Sequence, residues 1–266
     1  MTDAHQAIVS AAYALMRAAR WVEASQLLAA AEEPKLAAEV ALARAQLAVE
    51  VHEWQGTGDP TAAINAAAAS TGDSRDSGLA YDLDLLRLFN DYWAELIPAD
   101  GRPSTFGPEG RDPVVLHDLD RRAGQLTETA PDARRLARAT FYAGLVADNL
   151  RGEPRRAEEL FTRALAACRP GSDDDYAAEA LRHLGGCAQA AGDLKLTREQ
   201  WERSAELAGR SGWVPLALAQ QALLADLSAE EGDLAGARTL AAEVRRWSSA
   251  LGLARLAAQA EAILLR

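Results

Sequence analysis

The side chains able to do chemistry in this chain are scattered. His5, His52, His117 and His183 fall in separate segments, and none stands in the His-Glu-x-x-His spacing that sets two imidazoles on one helix face for zinc. Cys168 and Cys187 are the two cysteines, too few for a disulfide scaffold or a Cys-rich zinc site, and a reducing, cytoplasmic setting is the expectation. Neither Lys35 nor Lys195 closes a Gly-x-x-x-x-Gly-Lys-Ser/Thr loop that would cradle phosphates. Gly209-Arg210-Ser211-Gly212 reads as a helix end and turn, not as the strand-to-helix elbow of a nucleophilic serine. The sequence therefore supplies no catalytic residue, no metal and no cofactor.

Carboxylates leave one further route, because all-helical enzymes can hold magnesium between facing aspartates. Asp173-Asp174-Asp175 is one cluster; Asp84, Asp91 and Glu95, with Asn90, form a second along a predicted helix over 79–97. The run at 173–175 opens a helical pattern, where orphan amides and the helix dipole favour negative charge, so capping is expected there. In the 79–97 segment Leu79, Leu83, Leu86, Trp93 and Ile97 make one apolar stripe. Asp84, Asp91 and Glu95 lie along another side, as a solvated acidic face that a cationic ligand could meet.

Helices must position these residues. Alanine occurs 60 times, against 19 Gly and 10 Pro, and alanine is the best helix former while β-branched and aromatic residues are sparse. The net charge of −11 repels phosphate backbones and anionic lipid surfaces, so neither nucleic acid nor a membrane is an expected partner. No stretch reaches the ~18 uninterrupted apolar residues of a membrane span.

The helices repeat. Leu184-Gly185, Gly192-Asp193, Thr197 and Trp201 recur 40 residues later as Leu224-Ala225, Gly232-Asp233, Ala237 and Ala241. Gly152-Glu153, Ala157, Phe161 and Ala164 repeat the punctuation one unit earlier. Gly58-Asp59, Ala63 and Ala67, then Ala19-Arg20-Trp21, Ala24 and Leu28, continue it upstream. A glycine that stops one helix and an acid that caps the next describe a hairpin. A small residue followed four later by a large one lets two helices approach and fills the gap beside them. Six hairpins follow, roughly 4–33, 34–72, 75–130, 131–170, 172–211 and 213–250, with a helix over 251–266 whose Leu253, Leu256, Ala260, Ile263 and Leu264 cap the stack. A single repeat domain, 1–266, is expected. The stretch 98–111, with three Pro and three Gly, reads as a loop inserted in the third hairpin, with Phe106 placed to reach over a groove.

The pattern of Leu184, Gly185, Gly192, Asp193, Thr197, Trp201 and Ser204 resembles the tetratricopeptide repeat family. Its forty-residue unit is similar to the longer repeats of bacterial regulators of the MalT and LuxR type and of actinobacterial stand-alone repeat proteins. The resemblance implies an all-α, right-handed superhelical solenoid of about six hairpins. Its concave groove, lined by the first helix of each hairpin, would bind a peptide, a protein partner or a small effector. Carried through the repeat register, the groove positions are Tyr13, Arg17, His52, Tyr142, Asn149, Arg182, Gln189 and Asp226, to which Asp84, Asp91 and Phe106 are added. Ion pairing between neighbouring hairpins, such as Arg182 with Asp226, is the competing use of these side chains. The expected function is a stand-alone binding or adaptor module of regulatory kind, without catalysis; the alternative is a small-molecule enzyme or carrier with the 98–111 loop as a lid. Oligomeric state stays open.

Overall fold

Four glycines spaced twenty residues apart set the backbone rhythm: Gly192, Gly212, Gly232 and Gly252 all adopt left-handed φ between 72° and 91°. After each, the next N–H reaches back five residues, as in Asp193 N to Ala188 O at 3.0 Å and Trp213 N to Ala208 O at 2.9 Å. The helix is thereby ended and its last carbonyls satisfied. The forty-residue unit is thus two helices of equal length, each closed by the same turn. The computed structural model describes residues 2–31, 36–72, 77–97 and 106–266, with side chains from residue 7 onward. Among these residues every regular element is helical and no strand occurs, the all-α helical-repeat architecture expected from the recurrence.

The chain divides into two compact units, Met1–Ser104 and Thr105–Arg266. In the first, α1 (Thr2–Arg17) pairs with α2 (Trp21–Ala29) and α3 (Ala37–Gln55) with α4 (Thr61–Thr71), while α5 (Ser77–Leu96) packs on both α3 and α4. Leu42, Ala45 and Val49 of α3, Ile64 and Ala67 of α4, and Leu83 and Leu86 of α5 share one core. Packing against two helices buries α5 on more than the expected stripe. Tyr81, Leu85, Leu88 and Tyr92 are buried with Leu83 and Leu86, whereas Leu79, Trp93 and Ile97 are half-buried.

In the second unit α6 (Pro113–Thr129) packs on α7 (Ala133–Leu145), which runs into a π-turn (Val146–Leu150). Three hairpins follow the repeat: α7 with α8 (Pro154–Ala167), α9 (Asp174–Ala190) with α10 (Leu194–Arg210), and α11 (Val214–Glu230) with α12 (Leu234–Ala250). α13 (Ala254–Leu264) lies on α11 and α12, burying Leu253, Leu256, Ala260 and Ile263 at its start and along its inner face. The segment expected as the third hairpin, 75–130, is divided between the units: α5 belongs to the first and α6 to the second. Of the inserted stretch, 98–105 lies outside the described residues.

The aromatic of the repeat motif works by plugging a glycine on the facing helix. A Cβ on Gly185 would collide with the ring of Trp201, and one on Gly144 with the ring of Phe161. Trp201 is 2% exposed, and its Nε1 donates to the Arg182 carbonyl at 2.9 Å, so the indole is both packed and satisfied. Gly144 to Gly185 is 41 residues, one more than Phe161 to Trp201. The π-turn absorbs that extra residue, closing on a bond from Arg151 N to Val146 O at 3.1 Å. Ahead of the turn, Tyr142 is therefore level with His183, where an unbroken forty-residue register would align it with Arg182.

Expected caps form at Asp112, Asp193 and Asp233, which accept from Val114 N, Leu196 N and Gly236 N at 2.8 to 2.9 Å. The run at 173–175 departs from expectation. Asp173 occupies the N-cap of α9 without a side-chain capping bond, because its carboxylate is drawn instead to arginines of neighbouring elements.

Candidate binding face

In the first unit the expected groove residues all have partners. Tyr13 and Arg17 are half-buried on α1, each with interaction partners. His52 sets Nδ1 2.8 Å from the Gly58 carbonyl, across the turn of its own hairpin. Asp84 is exposed and pairs with Arg87 at 3.2 Å, and Asp91 is half-buried with partners of its own.

In the second unit Phe106 is 72% exposed, while the neighbouring Gly107 is buried. The Gly107 N–H donates to the Asn149 carbonyl at 2.9 Å, and Arg111 donates to the Gly107 carbonyl, tying this end of the insertion to the π-turn. Asn149 is itself buried. Gln189 donates from α9 to both carboxylate oxygens of Glu230 on α11 at 3.0 Å. Asp226 pairs with Arg266, so the expected Arg182–Asp226 bridge between hairpins does not form.

Two clusters emerge that the spacing of single residues does not reveal. The first is the acidic run itself. Arg134 of α7 binds Asp173 at 3.0 Å and Asp175 at 2.6 Å, Arg169 binds Asp173 at 2.9 Å, and Arg210 of α10 binds Asp174 at 3.0 Å. Burial opposes the charge on Asp173, yet hydrogen bonds from Arg169 and Arg134 outweigh it and hold the carboxyl at about 2. The buried carboxylates are clamped across three helices by partly exposed arginines. The Arg134 guanidinium also stands 4.5 Å from the centre of the Tyr176 ring, and Arg138 stands over Tyr142 and donates to its hydroxyl at 3.0 Å.

The second cluster lies one turn further along α9. His183 is wedged between Phe161, 4.8 Å centre to centre, and Phe141, 5.4 Å. Burial, with Arg182 adding, pushes its imidazole well below the ordinary value, so the ring is neutral. Half-buried Glu179 stands one turn before His183. Burial pushes its carboxyl up, more than the positive charge of Arg182 pulls it down. Asp148 on the π-turn is raised by burial as well. Among the described residues neither Glu179 nor Asp148 has a hydrogen-bond or ion-pair partner, and the Arg182 side chain has none either, although its Nε is shielded from solvent. Cys187, one turn beyond His183, is pushed up to about 11 by burial and by Asp148, and burial takes Cys168 to about 12, so both thiols are protonated and poor nucleophiles.

Sequence reasoning placed Arg182 and Tyr142 in this neighbourhood and missed Glu179, His183 and Asp148. The His183/Cys187 spacing of four was the available signal; the extra residue in the π-turn shifted the register of α7. Among the described residues no group of three or more His, Cys, Asp or Glu could hold a metal ion, and no helix is long and apolar enough to cross a membrane.

No protein-family model matches the chain, and no curated protein matches it. Among solved structures, it is similar to a Rap protein complexed with competence and sporulation factor, at 13% identity and a TM-score of 0.44, over 95% of this chain and 78% of that one.

Proposed function

We propose that the chain is a tetratricopeptide-like binding module, an adaptor of regulatory kind, whose second unit takes an extended peptide or protein segment along the face of α7, its π-turn and α9. One observation carries this reading: Glu179, Arg182 and Asp148, on α9 and the π-turn, are half-buried and have no hydrogen-bond or ion-pair partner for their side chains among the described residues, and the Arg182 Nε is buried. Buried polar atoms in folded proteins are almost always paired, so the unpartnered Arg182 Nε calls for a role or an outside partner. A few convergent polar groups against an apolar wall are also the usual make-up of a recognition site. The groove positions Tyr142, Asn149, Arg182 and Gln189 belong to the same helices, whereas Tyr13, Arg17, His52, Asp84 and Asp91 belong to the first unit. The exposure of Phe106 gives no support to a lid.

Selection of random twelve-residue peptides on the immobilised protein, followed by hydrogen exchange with the best binder, tests the reading. Slowed exchange confined to α7, 146–150 and α9 is expected. Protection confined to α10 and α12, or to the first unit, would overturn it.

A further inference from the structure

We propose that the last three helices, α11 to α13, form a releasable end of the repeat stack, which opens and unfolds as a block while α7 to α10 stay folded; the inference stands apart from the peptide reading. Two side chains point to it. Gln220 on α11 and Ser248 on α12 are fully buried, and among the described residues neither amide atom of Gln220 nor the Ser248 hydroxyl has a hydrogen-bond partner. A buried polar group without a partner destabilises the folded state, because water satisfies it once the surrounding helices open. The repeat shows that packing does not demand these groups. Forty residues earlier the equivalent positions are Ala180 and Ala208, and forty after Gln220 stands Ala260, each fully buried. Alanine fits the same places in neighbouring units, so the burden that falls on α11 and α12 is a feature of this block and not of the fold.

Gln220 also lies at the seam with the preceding hairpin. It shares a face of α11 with Leu216 and Leu224, four residues to either side, which join clusters with Ala208 and with Trp201 of α10. Ser204 of α10, equidistant from the Gly212 turn, donates its hydroxyl to the Ala178 carbonyl at 2.6 Å within its own hairpin. The pairs Gln189 with Glu230 and Arg198 with Glu231 cross the seam at the far end of α11, partly exposed, where water can replace them. Within the block, Ala225, Ala241 and Ile263 share a core, Arg245 pairs with Glu261, and Asp226 pairs with Arg266. The three helices are therefore tied to one another as well as to the stack. Release would uncover the α10 face that carries Trp201 and Ala208 and would free Gln189 from Glu230.

Native-state hydrogen exchange of the full chain, read by mass spectrometry in urea below the main transition, tests this. In the parent, amides of α11 to α13 should exchange through one shared opening, about tenfold or more faster than the slowest amides of α7 and α9. Gln220→Met and Ser248→Ala remove the polar atoms and little volume, and each should slow that opening about threefold or more. Phe161→Leu, in the α7–α8 core, should hasten exchange of α7 and α9 and leave α11 to α13 as they were. Exchange of α11 to α13 as slow as that of α7 and α9 would overturn the proposal. So would either polar variant exchanging as fast as the parent or faster, since the buried atoms would then be satisfied within the fold. Equal hastening of all these helices by Phe161→Leu would show one cooperative unit and overturn it too.

Discussion

Trp201 and Gly185 make a pair whose two halves are tested together. Removing the indole opens a cavity in the α9–α10 interface and removes its hydrogen bond to the Arg182 carbonyl, so Trp201→Ala should cost roughly 3 to 5 kcal/mol in urea unfolding. Gly185→Ala in the parent forces the ring aside and should cost about 1 to 3 kcal/mol. With the ring gone, the same substitution should be neutral or gain up to about 1 kcal/mol from helix propensity. Additive costs in the double variant would show that the ring does not rest on the glycine. His183 yields a pH test. Its folded-state pKa lies below the unfolded value of about 6.5. The unfolded chain therefore takes up the proton first as pH falls. The stability held by the neutral ring is complete above that value and is lost on acidification toward the folded pKa. Glu179 and Asp148 act in the opposite sense, their folded pKa values being raised, so the comparison is made against a variant. Between pH 7.5 and 5.5 the parent should lose more stability than His183→Phe; parallel losses would show an imidazole free to protonate.

Among the elements, the first hairpin exposes the logic of the turns. Ala19 sits at φ 58°, where its counterparts in later hairpins are glycines, and it makes the same pair of closing bonds, Ala19 N to Met16 O at 2.9 Å and Arg20 N to Leu15 O at 2.8 Å. An L-residue with a Cβ pays in that conformation roughly 1 kcal/mol or more relative to glycine. Ala19→Gly is accordingly expected to raise the unfolding midpoint, with a gain of about 0.5 to 1 kcal/mol. A loss would mean that contacts of the buried methyl outweigh the strain. The π-turn shows the converse case, an irregular element created by one added residue between Gly144 and Gly152. It leaves the Asn149 carbonyl free to receive Gly107 and sets Asp148 beside Cys187.

At the scale of the molecule, the two units carry separate cores. In Thr105–Arg266 the hairpins are joined through Ala177, Leu181, Leu207 and Leu216, then Trp201, Leu224 and Leu227, then Ala225, Ala241 and Ile263. A chain of quasi-independent repeats is stabilised by neighbour contacts, so residues 105–266 expressed alone should fold cooperatively and keep the helical circular dichroism of their share of the chain. A non-cooperative melt of that fragment would show that its stability depends on residues 1–104.

How much of this was legible in advance depends on distance along the chain. Helices, their length, the glycine turns and the burial of Trp201, Phe161 and the Leu253–Ile263 face follow from patterns within about twenty residues, where 3.6-residue periodicity and left-handed glycines act locally. The partners of charged groups do not. Asp173 and Asp175 lie 39 and 41 residues from Arg134, and Asp226 lies 40 from Arg266, so each pairing is set by the rotation and register of separate helices. One inserted residue in α7 is enough to change which side chains stand level. The sequence by itself therefore determined an all-α repeat of hairpins and its aromatic plugs. Only the tertiary structure decided that Asp173–Asp175 would be consumed by arginines while Glu179, Arg182 and Asp148 were left without partners, because a charge is quenched by whichever opposite group the packed helices bring within reach.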